Sequence, residues 1–465
     1  MEDVIKMLAT FAVVLGVLIV IHEFGHFIVA KWFGIRVDVF SVGFGKRLFG
    51  MKRGDTDYRV SLIPLGGYVK MAGENLDEQV TGAPDEFMSK PKWQRFCVAV
   101  AGPAMNILTA LAIPAVAAMV HFQMPAYLND PARVAGVETN SPAWNAGIRP
   151  GDVIVKMDSQ ENPVWRDVYD HVLVNPDQAL PVVVKRADSE IPLTLRVGSR
   201  TINQEKIGYS GLRPEDWKII VKEADSALPA AQAGLQVGDN IVAVNGTPVE
   251  QTPYGADQII SSIQSANGQP VSLAVKRGEE TVNITATPQM MDGAWRLGFS
   301  QGLEGMEVKV VRLGPLAALS HSVDENLRII RLTKTALVQV ISGQRSARDT
   351  FSGPIGIARI SGEAQKQGTS AVIQLMALLS LNLGIFNLFP IPVLDGGLIF
   401  MLLLESVLGL FGLQLTLRIK EKMMQVGFVM LVLLMGFVIF NDISKSVSFG
   451  GGQPQQTEQQ QPADK

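Results

Sequence analysis

Apolar residues along this chain gather into long runs in some stretches and alternate with polar residues in others, and the two patterns predict different elements. Four runs approach the roughly 20 residues that a helix needs to cross a bilayer. They are Met7 to about Ala30, interrupted by His22, Glu23, Gly25 and His26; Phe96 to Phe122; Ala371 to Phe389; and Met423 to Phe440. Each predicts a membrane span. Leu398 to Leu413 is shorter and carries Glu405, which suits an amphipathic or re-entrant segment better than a full span. Period-two alternation appears in Val37–Val42 and in Tyr58–Leu62, with Gly43, Gly45, Gly66 and Gly67 as punctuation, and predicts a β-hairpin over 37–71. From Leu316 to Val340 apolar residues fall at helical spacing with Arg328, Arg331 and Lys334 between them, the pattern of a membrane-surface helix or of a plain packed one. The end of the chain, Gly450 to Lys465, is rich in Gly, Gln and Pro and predicts disorder.

Composition agrees with the runs. Of 465 residues 47% are hydrophobic and 18% charged, where soluble domains carry about 25% charge, and the mean hydropathy is +0.21. Lys and Arg (41) nearly balance Asp and Glu (44), so no chain-wide basic field exists to hold nucleic acid. Cys97 is the single cysteine; it cannot form an intramolecular disulfide, and in its apolar run it reads as a small buried hydrophobe. At the N-terminus Glu2 and Asp3 precede Lys6 and no small-residue cleavage site follows, so the first run reads as a retained span. The segment from Lys31 to Arg95 holds eleven Lys or Arg, and Arg418, Lys420 and Lys422 precede the fourth run; the excess of basic residues places both loops in the cytoplasm. Both termini and the long middle segment, about Gln123 to Ser370, then fall on the other side, the periplasm of a Gram-negative cell.

That middle segment repeats itself. Ser141-Pro142-Ala143-Trp144-Asn145-Ala146-Gly147-Ile148-Arg149-Pro150-Gly151-Asp152-Val153-Ile154 parallels Leu228-Pro229-Ala230-Ala231-Gln232-Ala233-Gly234-Leu235-Gln236-Val237-Gly238-Asp239-Asn240-Ile241, and Ile207-Gly208-Tyr209-Ser210 parallels Leu297-Gly298-Phe299-Ser300. Each long copy reads as a short helix closed by Ala-Gly, a Gly-Asp turn and an alternating strand. The pair resembles two tandem PDZ domains of the bacterial type. Such domains take an extended chain, often a C-terminus, as an added strand, with the end carboxylate near a Gly-containing loop; they can equally be spacers or steric filters. Gly208-Tyr209-Ser210-Gly211-Leu212 is a carboxylate-loop candidate for the second copy.

Chemistry is concentrated in His22-Glu23-Phe24-Gly25-His26. Residues four apart share a helix face, so both imidazoles can aim at one ion while Glu23, about 100° round, reaches a bound water. Three polar groups inside an apolar span are costly unless they meet a cavity or a partner, and a metal is such a partner. A catalytic zinc takes three protein ligands and leaves one position open. His121, His171 and His321 lie on the wrong side of the membrane for the third place. Asp395 lies on the right side, in Asn387-Leu388-Phe389-Pro390-Ile391-Pro392-Val393-Leu394-Asp395-Gly396-Gly397, where two prolines and two glycines break the third span. Membranes tolerate such a break where backbone is buried or lines a water-filled cavity. Two histidines and a carboxylate favour zinc without excluding iron or cobalt. Asn382 and Asn387 can hold substrate backbone with their amides, or can hydrogen-bond between helices; Pro392 in the break and Gly43 and Gly45 on the hairpin are further substrate-contact candidates. A β-edge near the site offers hydrogen bonds to a substrate unwound from its helix, the alternative being an ordinary cytoplasmic hairpin.

A histidine motif in the first span with an Asn-x-x-Pro-x-Pro-x-x-Asp-Gly motif in a later one resembles the site-2 protease family, the intramembrane zinc metalloproteases, over nearly the whole chain. The two PDZ-like copies between the second and third spans, together with Ala101-Gly102-Pro103-Ala104-Met105-Asn106 and Ser352-Gly353-Pro354-Ile355-Gly356, narrow the likeness to the regulator-of-sigma-E protease group of Gram-negative bacteria. The resemblance implies hydrolysis within the membrane segment of single-span proteins: an anti-sigma factor already cut by another protease, whose release switches on an envelope-stress response, and remnant signal peptides. It implies Zn²⁺ held by His22, His26 and Asp395, with Glu23 as proton carrier, in the inner membrane.

The expected fold is a multi-spanning α-helical membrane protein with four transmembrane helices, a membrane-associated β-hairpin and two periplasmic α+β PDZ domains. Its expected parts are 1–122, carrying spans one and two; PDZ domains at 123–220 and 221–308; a helical connector at 309–370; 371–449, carrying spans three and four; and the tail 450–465. Two other functions fit less well. A membrane-tethered PDZ scaffold with a non-catalytic metal site has no use for Glu23, and a closed structural zinc site lacks a fourth donor. An ion transporter calls for an inverted repeat that is not apparent.

Overall fold

The computed structural model describes residues 2–74, 81–120, 122–202, 205–291, 294–305, 307–350, 352–413 and 415–448. His121 and the tail 450–465 lie outside the described residues. The chain forms two compact units, one from its two ends, through Phe122 and from Arg312 on, the other from its middle, Gln123–Ile202 and Lys206–Val311.

The first unit is helical: α1 (Glu2–Trp32), α2 (Lys92–Val120), α3 (Pro315–Ile341), α4 (Pro354–Gln367), α5 (Thr369–Asn387), α6 (Asp395–Leu410) and α7 (Leu417–Ser448). Four helices are long and apolar enough to cross a membrane: Val4–Trp32, Lys92–Val120, Thr369–Asn387 and Arg418–Ser444. The expected spans and the shorter 395–410 helix are therefore present. Small residues let the spans close on one another. A Cβ on Gly25 of α1 would fall on Ala101 O and 2.7 Å from Met105 Cγ of α2, and one on Gly384 of α5 would stand 2.9 Å from Ile107 Cγ1 and 3.0 Å from Pro103 O. Polar groups fasten the same faces, Ser380 Oγ donating to Asn106 O at 2.8 Å.

Two prolines, Pro103 and Pro114, lie inside α2. Proline gives no N–H to the carbonyl one turn back, and the carbonyl that Pro114 leaves free, Ala110 O, accepts from Asn326 Nδ2 of α3 at 3.1 Å. Ser322 Oγ of α3 donates to the next carbonyl, Leu111 O, at 2.6 Å. The 316–340 helix is thus packed against the second span through buried Ser322 and Asn326, while Leu316, Leu319 and Leu327 on it stay exposed. At the far end, Asp442 of α7 accepts from Gly353 N, Ile355 N and Gly356 N at 3.0, 2.9 and 3.1 Å, which caps the start of α4 and accounts for the Ser352–Gly356 motif.

The expected hairpin is there as β1 (Val37–Arg53) and β2 (Thr56–Met71), but it is folded back on itself. Val37–Val42 pairs on one side with Gly67–Met71 and on the other with Asp57–Val60, and that last segment also pairs with Phe49–Arg53. Two long strands therefore make a sheet four segments wide with Gly67–Met71 at one edge. Gly43, at φ 91°, makes the fold possible; a Cβ there would stand 2.8 Å from Ile63 O. Phe40 and Tyr58 seal the sheet onto Phe27 of α1 at ring separations of 5.2 and 5.8 Å, while Leu48, Phe49, Met51, Leu62 and Ile63 stay exposed.

The second unit is built twice. The first copy has strands 160–161, 153–157, 179–186 and 189–196 side by side and a helix at Trp165–Val174; the second orders strands 280–286, 271–277, 240–244, 218–224 and 299–304 with a helix at Pro253–Ser265. Each has its own core, around Ile154, Trp165 and Leu195 in one and Ile241, Ile259 and Leu273 in the other. The repeated Gly-Asp is a buried clamp. Asp152 receives Arg186 Nε at 2.7 Å and Arg149 N at 2.9 Å, and Asp239 receives Arg277 Nε at 2.7 Å and Gln236 N at 2.9 Å. Burial raises the pKa of both carboxyls, but these bonds together hold them below the usual range. Two expectations need correction. Gly208–Leu212 belongs to the first copy, since Ser210 O accepts from Ala143 N at 2.8 Å and Gly211 O from Glu138 N at 2.9 Å. The boundary after 220 cuts strand Lys218–Ala224, which pairs throughout with Phe299–Glu304 of the second copy.

Candidate active site

His22 and His26 lie one turn apart on α1 with their Nε2 atoms 3.2 Å from each other. Asp395, in the first turn of α6, places Oδ2 3.0 Å from His22 Nε2 and Oδ1 3.3 Å from His26 Nε2. Zinc bonds of about 2.0–2.2 Å in tetrahedral geometry put neighbouring donors roughly 3.3–3.5 Å apart. The two imidazole nitrogens and the carboxylate are thus spaced as the protein ligands of one zinc ion would be, with one donor atom from each within 4.8 Å of the others, and they are the one such donor group among the described residues.

The other ring nitrogens are held by α2. His26 Nδ1 donates to Val98 O at 2.7 Å, beside the break in the helix ladder made by Pro103. Asn106 Nδ2 lies 3.1 Å from His22 Nδ1, and Asn106 Oδ1 is buried with no donor among the described residues; exchanging the O and N ends of the amide satisfies both, since Nδ1–H then donates to Oδ1 and Nε2 keeps its lone pair for a metal. Gly102 lies between these two supports. A Cβ there would fall on His26 Nε2 and 2.7 Å from His22 Nε2, so the glycine is what brings α2 against the imidazole pair.

Asp395 is delivered by a strained turn. Val393 has φ 92°, an outlying conformation for a β-branched residue. A Cβ on Gly396 would collide with Leu388 and Phe389 backbone, and one on Gly397 would lie 2.6 Å from Pro392 Cα. The Asp-Gly-Gly triplet therefore lets the chain pack back on the Phe-Pro-Ile-Pro segment.

Glu23 points the other way round α1, to the edge of the sheet, where its Oε2 accepts from Val69 N at 3.0 Å. A cavity of about 350 Å³ joins Glu23, the two histidines and Asp395 to Tyr68, Val69 and Asn387. A second, of about 740 Å³, meets it at Asp395 and Leu398 and extends past Arg95 to Glu405 and Lys420, themselves paired at 2.9 Å. Glu74 lines both; burial pushes its carboxyl pKa up, partly offset by a hydrogen bond from Met71 N at 3.2 Å.

The structure thus brings His22, Glu23, His26, Asp395 and Asn387 together. Asn382 is not among the residues lining either cavity, and neither are Gly43 and Gly45, which bend the sheet. Pro392 packs on α7, against Gly427. His171 binds Asp167 O within its own helix at 2.9 Å, and His321 stacks on Phe122. The supports that the motif reading passed over are Asn106, the Val98 carbonyl and the Val69 N–H. Asn106 had a signal, a lone amide in an apolar run; backbone groups have none.

Residues 10–434 match the family model described as Peptidase family M50. The chain is 33% identical over 480 residues to the "Regulator of sigma-E protease RseP" of Salmonella typhimurium, covering 96% of this chain and all of that one. It is 34% identical over 470 residues to the protein of the same name from Escherichia coli K12, covering 94% and 98%, and 30% identical over 471 residues to a "Putative zinc metalloprotease" of Vibrio cholerae, covering 96% and 100%.

Proposed function

The chain belongs to peptidase family M50 and is an intramembrane zinc metalloprotease of the site-2 kind, and we propose that its catalytic centre is the cluster of His22, His26 and Asp395 with Glu23 beside it. The observation that carries this is the convergence of the two Nε2 atoms, 3.2 Å apart, on the two oxygens of the Asp395 carboxylate, at 3.0 Å from His22 and 3.3 Å from His26. These three residues would hold a zinc ion, which when bound would lower the pKa of a coordinated water and polarise a peptide carbonyl.

The rest is done by the chain. Val98 O and Asn106 fix the tautomers and tilt of the imidazoles. Glu23, steadied by Val69 N–H, takes the proton of the attacking water and passes it to the leaving amine. A peptide bond within a helix is hydrogen-bonded and wrapped by side chains, so the substrate must unwind; the edge Gly67–Met71 supplies the lost hydrogen bonds by strand addition, and the Asn387 amide reaches the same cavity. The exposed Phe49 and Met51 suit a sheet that dips into the bilayer.

The substrates we propose are single-span membrane proteins, an anti-sigma factor after a first cut among them, and remnant signal peptides; relatives named regulators of sigma-E support the first. We assign the two copies of the middle unit to the PDZ type, as sites for peptide C-termini or as a filter, and place them with both termini in the periplasm of an inner-membrane protein whose catalytic centre faces the cytoplasm. The test is cleavage of a tagged single-span substrate by wild type and Glu23→Gln with zinc measured in both. Zinc retained with cleavage lost supports the assignment; equal cleavage refutes it and leaves a PDZ scaffold as the better account.

A further inference from the structure

The edge strand beside the catalytic cluster carries a carboxylate that the chemistry above does not use. Its inner side is paired with Val37–Val42. On its outer side, Val69 N–H and Met71 N–H, spaced as the outward groups of a strand are, donate to Glu23 Oε2 at 3.0 Å and Glu74 Oε2 at 3.2 Å. An extended peptide adding to this edge must offer carbonyl oxygens to donors at that same spacing. The Glu74 carboxylate stands where one of those carbonyls would be.

We propose that Glu74 guards the edge strand: it satisfies Met71 N–H in the resting enzyme and yields it to a backbone carbonyl of the unwound substrate. The proposal rests on the reading that substrate pairs with Gly67–Met71. Glu74 follows the turn at Ala72 and Gly73, the latter at φ 64°, and it borders both cavities, so the side chain has space to swing into the larger one. An edge N–H left without an acceptor in a water-poor site is costly and pairs with whatever strand arrives. A guard removes that cost and sets a threshold. A helical segment, whose carbonyls are engaged internally, cannot displace Glu74; a segment that unwinds readily can. Selection for unwinding then sits in substrate binding rather than in the chemical step.

The test is steady-state cleavage by purified full-length protein of two single-span substrates, one with Gly and Pro near the cut and one uniformly Leu-rich. Glu74→Ala, which leaves Met71 N–H without its acceptor, is expected to lower KM by about tenfold, the worth of one charge-assisted hydrogen bond, with kcat and zinc content held and the Leu-rich substrate gaining most. Glu74→Gln, whose amide oxygen still accepts, is expected to stay near the wild-type KM. A rise in KM in Glu74→Ala makes the residue a structural brace, and loss of kcat in Glu74→Gln makes it a catalytic acid; either overturns the guard. Unchanged KM in both variants, with the wild type active, overturns the guard alone, whereas a wild type that cuts neither substrate overturns the protease site with it.

Discussion

Replacing Gly102 by alanine should cost the enzyme its metal without unfolding it. The added methyl would fall on His26 Nε2 and 2.7 Å from His22 Nε2, the two atoms assigned to zinc. Carbon needs roughly 3.5 Å to a neighbouring heavy atom, so even His22 has to retreat by about 0.8 Å. The retreat is blocked for His26, whose Nδ1 is held at 2.7 Å by Val98 O on the same helix as the glycine. Metal sites tolerate about ±0.2 Å in ligand distance, and loss of a mere supporting contact typically costs 10–100-fold in affinity. Displacing the ligands themselves should cost at least the upper figure, about 2.8 kcal/mol at 1.4 kcal/mol per decade. The assay is zinc retained by purified protein across a series of chelator-buffered free zinc concentrations, with cleavage measured in parallel. Gly436→Ala is the comparator, since a Cβ there meets nothing within 4 Å. A Gly102→Ala protein that holds zinc within threefold of wild type would refute the placement of the imidazoles against α2.

Other outcomes follow from the same geometry. Asn106→Leu should lower zinc affinity roughly 10–100-fold by releasing His22 Nδ1; unchanged affinity in the same titration counts against that support. Asn387→Leu should reduce cleavage with zinc content intact, and lost zinc or full cleavage would remove the residue from substrate binding. Asp442→Ala leaves three backbone N–H groups at the start of α4 without their acceptor, and a local cost of about 1–3 kcal/mol should appear as faster hydrogen exchange there; unaltered exchange would show that the cap is dispensable. In the middle unit, burial and the neighbouring Glu138 charge outweigh Arg200 and raise the Glu250 pKa from 4.5 to about 7. The folded form then binds the extra proton between those values, so the unit should lose stability as pH rises from about 4.5 to about 7. Glu250→Gln should flatten that dependence in hydrogen exchange of strand Lys218–Ala224, and an unchanged slope would refute it.

Run length made the four spans legible, and the spacing of His22 and His26 with the broken segment before Asp395 made the donor cluster legible, because in each case the signal is local or chemically expensive to place by chance. What the sequence concealed depends on pairing across distance. The hairpin reads as two strands because alternation reports which face a residue takes, whereas the fold-back that makes Gly67–Met71 an edge depends on a bend at Gly43. Gly208–Leu212 lies between the two long repeats and reads as a loop of the second, and the hydrogen bonds from Ala143 to Ser210 and from Glu138 to Gly211 assign it to the first. Asn382 had the right residue type on the right helix, yet it does not line the cavities that Asn387 reaches. Glu74 carries no motif at all.

Leu313 N donates to Ala118 O at 2.9 Å, and Asn326 and Ser322 bind Ala110 and Leu111 about two turns back along the same helix. The polypeptide therefore departs from the second span and comes back to it at one stapled junction, before and after everything between Phe122 and Arg312. A junction closed on its own bonds does not rely on the inserted segment to stay shut, which makes that segment a cassette: evolution can lengthen, exchange or delete it without reopening the helical unit. The middle of such a chain is free to diversify while its helical unit stands still.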